Sequence, residues 1–285
     1  MFRLIQSLRQ GMRGAPGERA RRTVRTRIGA RVFDLTSDDD YLDHIEGVFA
    51  PSMVALLSAL VRPQDVVLDV GANIGCTALL VGQLAARTIA FEPAPSTFAL
   101  LRHNLRAAGM DQVQAVNLGL GRNEQRSELT YSANNRSGGF VSDQVTVSAG
   151  HAVEPIHLVA GDAWLAQAGI EQVDFIKIDV EGFERHVIEG LAATLARGRP
   201  LVVLELNHWC LNAFQRTSVP DFFDFLRGVF PHLLAIDGPD DVRDLHRPDD
   251  SYRVMYHHIV HNFCYPNLVG GFDRARLDNV LGNLA

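Results

Sequence analysis

The stretch VVLDVGANIGCTALLV, Val66–Val81, decides the fold. Val66–Val70 is an apolar run broken only by Asp69, which fits a strand covered on both faces of a sheet. Gly71 and Gly75 follow in a tight turn, and residues 74–86 then carry apolar and small side chains at helical spacing. A strand that feeds through a glycine turn into a helix brings the helix N-terminus to the carboxyl end of the strand. Unpaired N–H groups and the positive end of the helix dipole collect there, and the place suits a carboxylate or a phosphate.

The alternation continues outward. TIAFE (88–92) reads as a second strand, STFALLRHNLRAAG (96–109) as a helix stopped by Gly109, and VQAVNLG (113–119) as a third strand. VDFIKIDV (173–180), PLVVLELN (200–207) and HLLAID (232–237) read as the fourth, fifth and sixth strands. GFERHVIEGLAATLARG (182–198) and DFFDFLRGVF (221–230) read as helices, and YRVMYHHIVHNFCY (252–265) as a long last strand. Strands alternating with helices predict an α/β fold, a doubly wound and mostly parallel sheet. Asp162 is placed to N-cap DAWLAQAG. Residues 120–155, rich in Ser, Asn and Gly, predict a β-hairpin, with 132–143 as a mobile cover over a bound ligand. Upstream, ARVFDL (30–35) reads as a strand, TSDDD (36–40) as an acidic loop and PSMVALLSALV (51–61) as a helix. The organisation expected is an arginine-rich, partly disordered arm over 1–30 and one domain over 31–285.

Composition bounds the function. The 285 residues are 47% hydrophobic and 21% charged, which is globular. No apolar run approaches the ~18 residues of a membrane span, and the N-terminus lacks the apolar core of a signal peptide. Cys76, Cys210 and Cys264 are far apart and fit no metal or disulfide spacing, so reduced thiols and a cytoplasmic location are expected. Net charge is −6, yet residues 1–31 hold nine arginines and one acid, Glu18. The rest is therefore acidic, which speaks against a nucleic-acid groove. With a single lysine, Lys177, in the chain, the arginines follow a general compositional bias, and the arm reads as a solvated extension.

The turn then has to choose its ligand. Dinucleotide enzymes use G-x-G-x-x-G, and counting from Gly71 the second and third glycine positions hold Asn73 and Cys76. A side chain at the second position obstructs a pyrophosphate. S-adenosylmethionine carries an amino-acid carboxylate and no pyrophosphate, and Asp69 suits its cationic end. Glu92, ending the second strand, suits a ribose diol in either class. Methyl transfer is thus favoured over a nucleotide-dependent oxidoreductase, and a non-catalytic scaffold on the same fold is the remaining alternative.

VVLDVGANIG, IAFEPAPSTFALLRHNLRAAG and VDFIKIDVEGFERHVIEGL, followed by RPLVVLEL, resemble the FkbM-type S-adenosylmethionine-dependent methyltransferases over about residues 60–210. The resemblance implies a class I, Rossmann-like methyltransferase fold whose seven-stranded sheet has an antiparallel last strand. It also implies transfer to a hydroxyl oxygen of a small molecule, often a sugar or secondary metabolite. By motif position Asp69, Gly71 and Asn73, with Gly75 in the same turn, would line the methionine end of the cofactor. Glu92 would bind the ribose and Asn117 would lie near the adenine. Where the family commonly has a Thr-Leu-Asp-like run, this chain reads Ala160-Gly161-Asp162.

Transfer to an alcohol needs alignment and a base within hydrogen-bond reach. Asp179 and Glu181, two residues apart at the end of the fourth strand, would share one side of an extended backbone, and two close carboxylates raise one pKa. They are the candidate bases, with His208 after the fifth strand as a third. The same acids could instead hold a divalent cation; no metal site is predicted. Lys177 is expected in a buried ion pair. On a strand, His257 and His261 would lie about 13 Å apart, too far to share an ion.

Overall fold

A computed structural model describes residues 20–142, 144–145, 150–238, 240–261 and 263–278. The first 19 residues, most of the expected arm, lie outside the described residues. The described chain opens with β1 (Arg22–Ile28) and β2 (Arg31–Ser37), paired antiparallel over seven residues. Along β1 the arginines are exposed while Val24, Thr26 and Ile28 are buried, the period of two that a half-covered strand requires. The boundary expected near residue 30 falls in the turn between these strands. Helix α1 (Leu42–Ile45) follows, β3 (Gly47–Val48) completes a small sheet of order β2-β1-β3, and α2 (Pro51–Leu60) leads to the main sheet.

The first winding is β4 (Val66–Val70), α3 (Cys76–Leu84), β5 (Arg87–Phe91), α4 (Pro95–Ala107) and β6 (Val113–Val116). An insertion follows: β7 (Gly119–Gly121), β8 (Gln125–Ser132), β9 (Asn135–Phe140) and β10 (His151–Ala160), a sheet of order β7-β10-β8-β9. The second winding is α5 (Gly161–Gln167), β11 (Phe175–Ile178), α6 (Glu184–Gly190), α7 (Ala192–Gly198), β12 (Leu201–Glu205), α8 (His208–Gln215), α9 (Val219–Val229), β13 (His232–Ile236), β14 (Val242–Asp244), α10 (Pro248–Val260) and β15 (Asn267–Gly271). The main sheet has eight strands, one more than the resemblance implies, in the order β14-β13-β15-β12-β11-β4-β5-β6. The run from β12 to β6 is parallel, β15 lies antiparallel between β12 and β13, and β14 adds an antiparallel edge.

Alternate residues of the central strands feed two buried clusters. Val67, Ala90, Phe175 and Val203 join one; Leu68, Ile89, Ile176 and Val202 join the other. This double burial explains why these strands read as continuous apolar runs. The chain leaves β4 toward β5 and β6, then returns to β11 on the other side. The carboxyl ends of β4, β5, β11 and β12 therefore meet at the switch point, where such sheets bind ligands.

Three expectations are corrected. Residues 252–265 are not a strand: α10 covers Pro248–Val260, and the last strand is β15. Pro248 opens that helix, Asp249 and Asp250 sit in its first turn, and the buried Val254 and His258 are four apart. The His257 and His261 rings consequently lie 5.0 Å apart, not 13 Å. The helix expected over 182–198 is two helices. Asp162, expected to cap its own helix, reaches across to the second one. Its carboxylate accepts from Ala193 N (2.7 Å), Thr194 N (2.8 Å) and the Thr194 hydroxyl (2.6 Å), restarting the chain as α7. The expected cover at 132–143 contains strand β9, with residue 143 outside the described residues.

Candidate active site

Leaving β4, the chain turns at Gly71 with φ +82°. A Cβ there would stand 1.9 Å from the Asp179 carbonyl oxygen, so only glycine suits both the dihedral and the neighbouring backbone. Gly71 N and Ala72 N donate to the Phe91 carbonyl at 3.1 and 3.0 Å, tying the turn to the end of β5. Glu92, just past β5, is 6% exposed and fastens the same turn. Asn73 N donates to its Oε2 and Ala94 N to its Oε1, both at 3.0 Å. Burial pushes its carboxyl up to about 7, against the pull of those two N–H groups. Each oxygen keeps acceptor capacity for one more donor.

Behind the turn lies a buried charge pair. Lys177 of β11 stands opposite Asp69 of β4 in the parallel register. Its Nζ is 3.4 Å from Asp69 Oδ1 and from Asp179 Oδ2, and it donates to the Gly71 carbonyl at 3.1 Å. Burial alone would lower this ammonium, but Asp179 and Asp69 outweigh it and raise it. Asp69 is 0% exposed and also accepts from the Thr77 hydroxyl at 2.7 Å. It therefore does not reach the cleft, because its carboxylate is spent on Lys177 and Thr77.

The other wall is acidic. Asp179, Glu181 and Glu205 bring carboxylate oxygens within 4.8 Å of one another. The cause is not the extended backbone expected from their spacing. β11 ends at Ile178, and Glu181 occupies a left-handed turn (φ +52°). The buried Glu184 shapes that turn by accepting from Val180 N and Gly182 N, each at 3.2 Å. Burial, then the charge of Asp179, pushes Glu181 up to about 8; burial, then Asp179 and Glu181, raises Glu205 as well.

Gly71, Asn73, Glu92, Asp179 and Glu181 all line one cleft of about 660 Å³, open to solvent, and Leu129, Arg136 and Gly139 of the insertion line it as well. Arg136 fixes the insertion over the cleft. It pairs with Asp38 (3.1 Å) and Glu154 (3.5 Å) and donates to Ser96 and to the Tyr131 hydroxyl, while its backbone N donates to Asp39 (2.8 Å).

Four of the expected site residues stand elsewhere or act through others. Besides Asp69, Gly75 is the N-cap residue of α3. Asn117 braces the cleft rim, donating to the Glu92 and Pro93 carbonyls at 2.9 and 3.0 Å. His208 packs on His258 and Phe263, with ring centroids 5.0 and 4.6 Å away, and its Nδ1 is buried without a partner. Burial lowers its pKa. None of the four lines the cleft.

Residues 69–236 match the family model for the methyltransferase FkbM domain. The chain belongs to the FkbM methyltransferase family. It is 28% identical over 160 residues to the 2-O-methyltransferase NoeI of Sinorhizobium fredii, covering 50% of this chain and 64% of that one. It is 32% identical over 159 residues to the 31-O-demethyl-FK506 methyltransferase FkbM of Streptomyces tacrolimicus, covering 46% and 60%. The matches thus span less than two thirds of these relatives. A solved FkbM methyltransferase from Methylobacillus flagellatus superposes with a TM-score of 0.46 at 17% identity, covering 75% of this chain and 45% of that one.

In this FkbM-family chain the matched segment spans the turn, Glu92, the insertion and the acidic wall. The role of Arg136 was not legible in the sequence, since its partners lie on four other segments. Glu205 carried one signal, its place at the end of the fifth strand, but not its contact with Glu181.

Proposed function

We propose that this protein transfers a methyl group from S-adenosylmethionine to a hydroxyl of a small molecule, a sugar or secondary metabolite being the favoured acceptor class. The observation that carries the reading is the convergence of Gly71, Asn73, Glu92, Asp179 and Glu181 on one cleft at the switch point. The residues fit the cofactor. Glu92 offers spare lone pairs for a diol, Asn73 Oδ1 is buried without a partner, and Arg136 and Lys177 are already paired with acids while Glu92, Asp179 and Glu181 line the cleft, leaving negative charge for a sulfonium and an ammonium to balance. NoeI and FkbM, named as O-methyltransferases, point to the same atom type.

When bound, the cofactor supplies an electrophilic methyl carbon on a sulfonium. Gly71 lets backbone come close to the ligand, and Glu92 accepts from the ribose. Asp69 acts indirectly, by holding Lys177 and through it the Gly71 carbonyl. Glu181 is the favoured base, because it lines the cleft and burial holds its pKa near neutrality; it would take the acceptor's hydroxyl proton while the methyl group passes to that oxygen and its former bond to sulfur breaks, the sulfonium leaving as a neutral thioether. His208, off the cleft, is the weaker candidate. Alignment of the acceptor supplies much of the rate gain.

Isothermal titration with S-adenosylhomocysteine and with NADH tests the reading. S-adenosylhomocysteine should bind, NADH should not, and Glu92→Ala should weaken binding about 10–100-fold, the cost of a lost charge-assisted hydrogen bond. Binding of NADH alone would return the turn to the oxidoreductase class, and binding of neither would favour a scaffold.

A further inference from the structure

Glu181 is gripped from a different strand than the one it follows. The Asn207 Nδ2 donates to Glu181 Oε2 at 3.1 Å, and the Cys210 thiol donates to the same oxygen at 3.0 Å. Among the described residues Oε1 receives no hydrogen bond, while Glu181 itself lines the cleft. Asn207 works at both ends, since its Oδ1 accepts from Cys210 N at 3.2 Å and so caps α8. The first turn of α8 also presses on the turn that carries Glu181. A Cβ on Gly182 (φ +98°) would meet the Cys210 backbone C and O at 2.9 and 3.0 Å. Cys210 is 4% exposed, and Asn207 is 6% exposed.

We propose that Asn207 and Cys210 are positioning residues: together they hold Oε2 of Glu181 and leave Oε1 to receive the acceptor's proton. The proposal rests on the reading of Glu181 as the base. Two donors converge on one carboxylate oxygen and none on the other, so the carboxylate is oriented as well as paired. A left-handed glutamate needs such support, because its backbone is strained and its side chain is long. The groups facing Glu181 are the acids Asp179, Glu205 and Glu184 and the donors Asn207 and Cys210, with Lys177 behind Asp179. The thiol stays protonated: burial and then Glu181 push its pKa far up, so it donates rather than repels.

The test is a pH titration of the Glu181 side-chain carboxyl by carbon-13 NMR in the full chain, assigned with Glu181→Gln. Both donors stabilise the carboxylate, so removing one raises the titration midpoint. Cys210→Ala should move it up by about 0.5–1 unit, and Asn207→Ser, which keeps a capping oxygen but loses the amide donor, by a similar amount. Cys210→Ser, which restores a donor, should leave it within about 0.3 unit of the parent. A midpoint unmoved in both Cys210→Ala and Asn207→Ser overturns the grip, as does an equal shift in Cys210→Ser. The titration needs neither cofactor nor acceptor. It is therefore decided separately from S-adenosylhomocysteine binding, which decides the function itself.

Discussion

Gly71 and Lys177 show how little freedom single residues have at the end of β4. Alanine at position 71 would take a positive φ and push its Cβ to 1.9 Å from backbone that cannot swing aside. Strain of about 1–2 kcal/mol from the dihedral adds to that clash. Gly71→Ala is expected to destabilise by about 3 kcal/mol or more, measured by urea unfolding, and to abolish S-adenosylhomocysteine binding. Lys177→Met keeps the apolar stem but strands Asp69 and Asp179, as well as the Gly71 carbonyl, without their cation. Breaking a buried pair from one side costs about 3–5 kcal/mol. Adding Asp69→Asn to that variant should recover part of the loss, because the uncompensated charge goes with it; no recovery in urea unfolding would mean that the charge is not what Lys177 serves.

At the scale of elements, helix α7 depends on a cap from outside itself. Asp162 supplies acceptors to three donors at its start. Asp162→Ala should cost about 1–2 kcal/mol and Asp162→Asn less, since the amide keeps one acceptor oxygen; equal losses in urea unfolding would show that geometry matters less than charge. The same segment shows why a long periodic run is a poor guide to helix boundaries. GFERHVIEGLAATLARG holds one helical period, and the break at Leu191 is imposed by the side chain of Asp162, from before β11. The histidine-rich stretch departs from its expected strand for a related reason. Tyr, Val and Ile suit strands locally, and the helix instead buries Val254 and His258 on one face.

For the whole molecule the buried acids set a pH dependence. Glu92 and Glu184 are pushed up to about 7 and Glu181 to about 8, each by burial first. Their folded pKa values exceed the unfolded one, so their contribution is full below about pH 4.5 and is lost as pH rises through 7 and 8. His258 runs the other way. Burial lowers it to about 4, and its contribution, present above about pH 6.5, is lost in acid. Between pH 6.5 and 8 the loss from the three glutamates outweighs the remaining gain from His258, and the ligand-free protein should lose on the order of 2–3 kcal/mol. The midpoint of thermal unfolding should fall over that window, and Glu92→Gln should flatten the fall; a midpoint that rises there would contradict the assignment. If Glu181 is the base, methyl transfer should increase over the same window, because the base works only when deprotonated. Among the described residues no helix is long and apolar enough to cross a membrane.

The parallel core, the turn at GANIG and the acid after β5 are legible in the chain alone. These depend on local chemistry: continuous apolar runs, glycine where φ is positive, and a carboxylate at a strand end. Tertiary structure alone decided which acids reach the cleft. Asp69 and Asp179 both end core strands, yet the register opposite Lys177 buries the first and leaves the second lining the site. Glu181 meets Glu205, Asn207 and Cys210 only because β11 and β12 are neighbours, and Arg136 spans the cleft only because the insertion folds back on the acidic loop. Spacing along a chain sets which side chains share a face of one element. Sheet order, register and the conformation of turns set which of them meet, and those are settled by packing over long sequence distances.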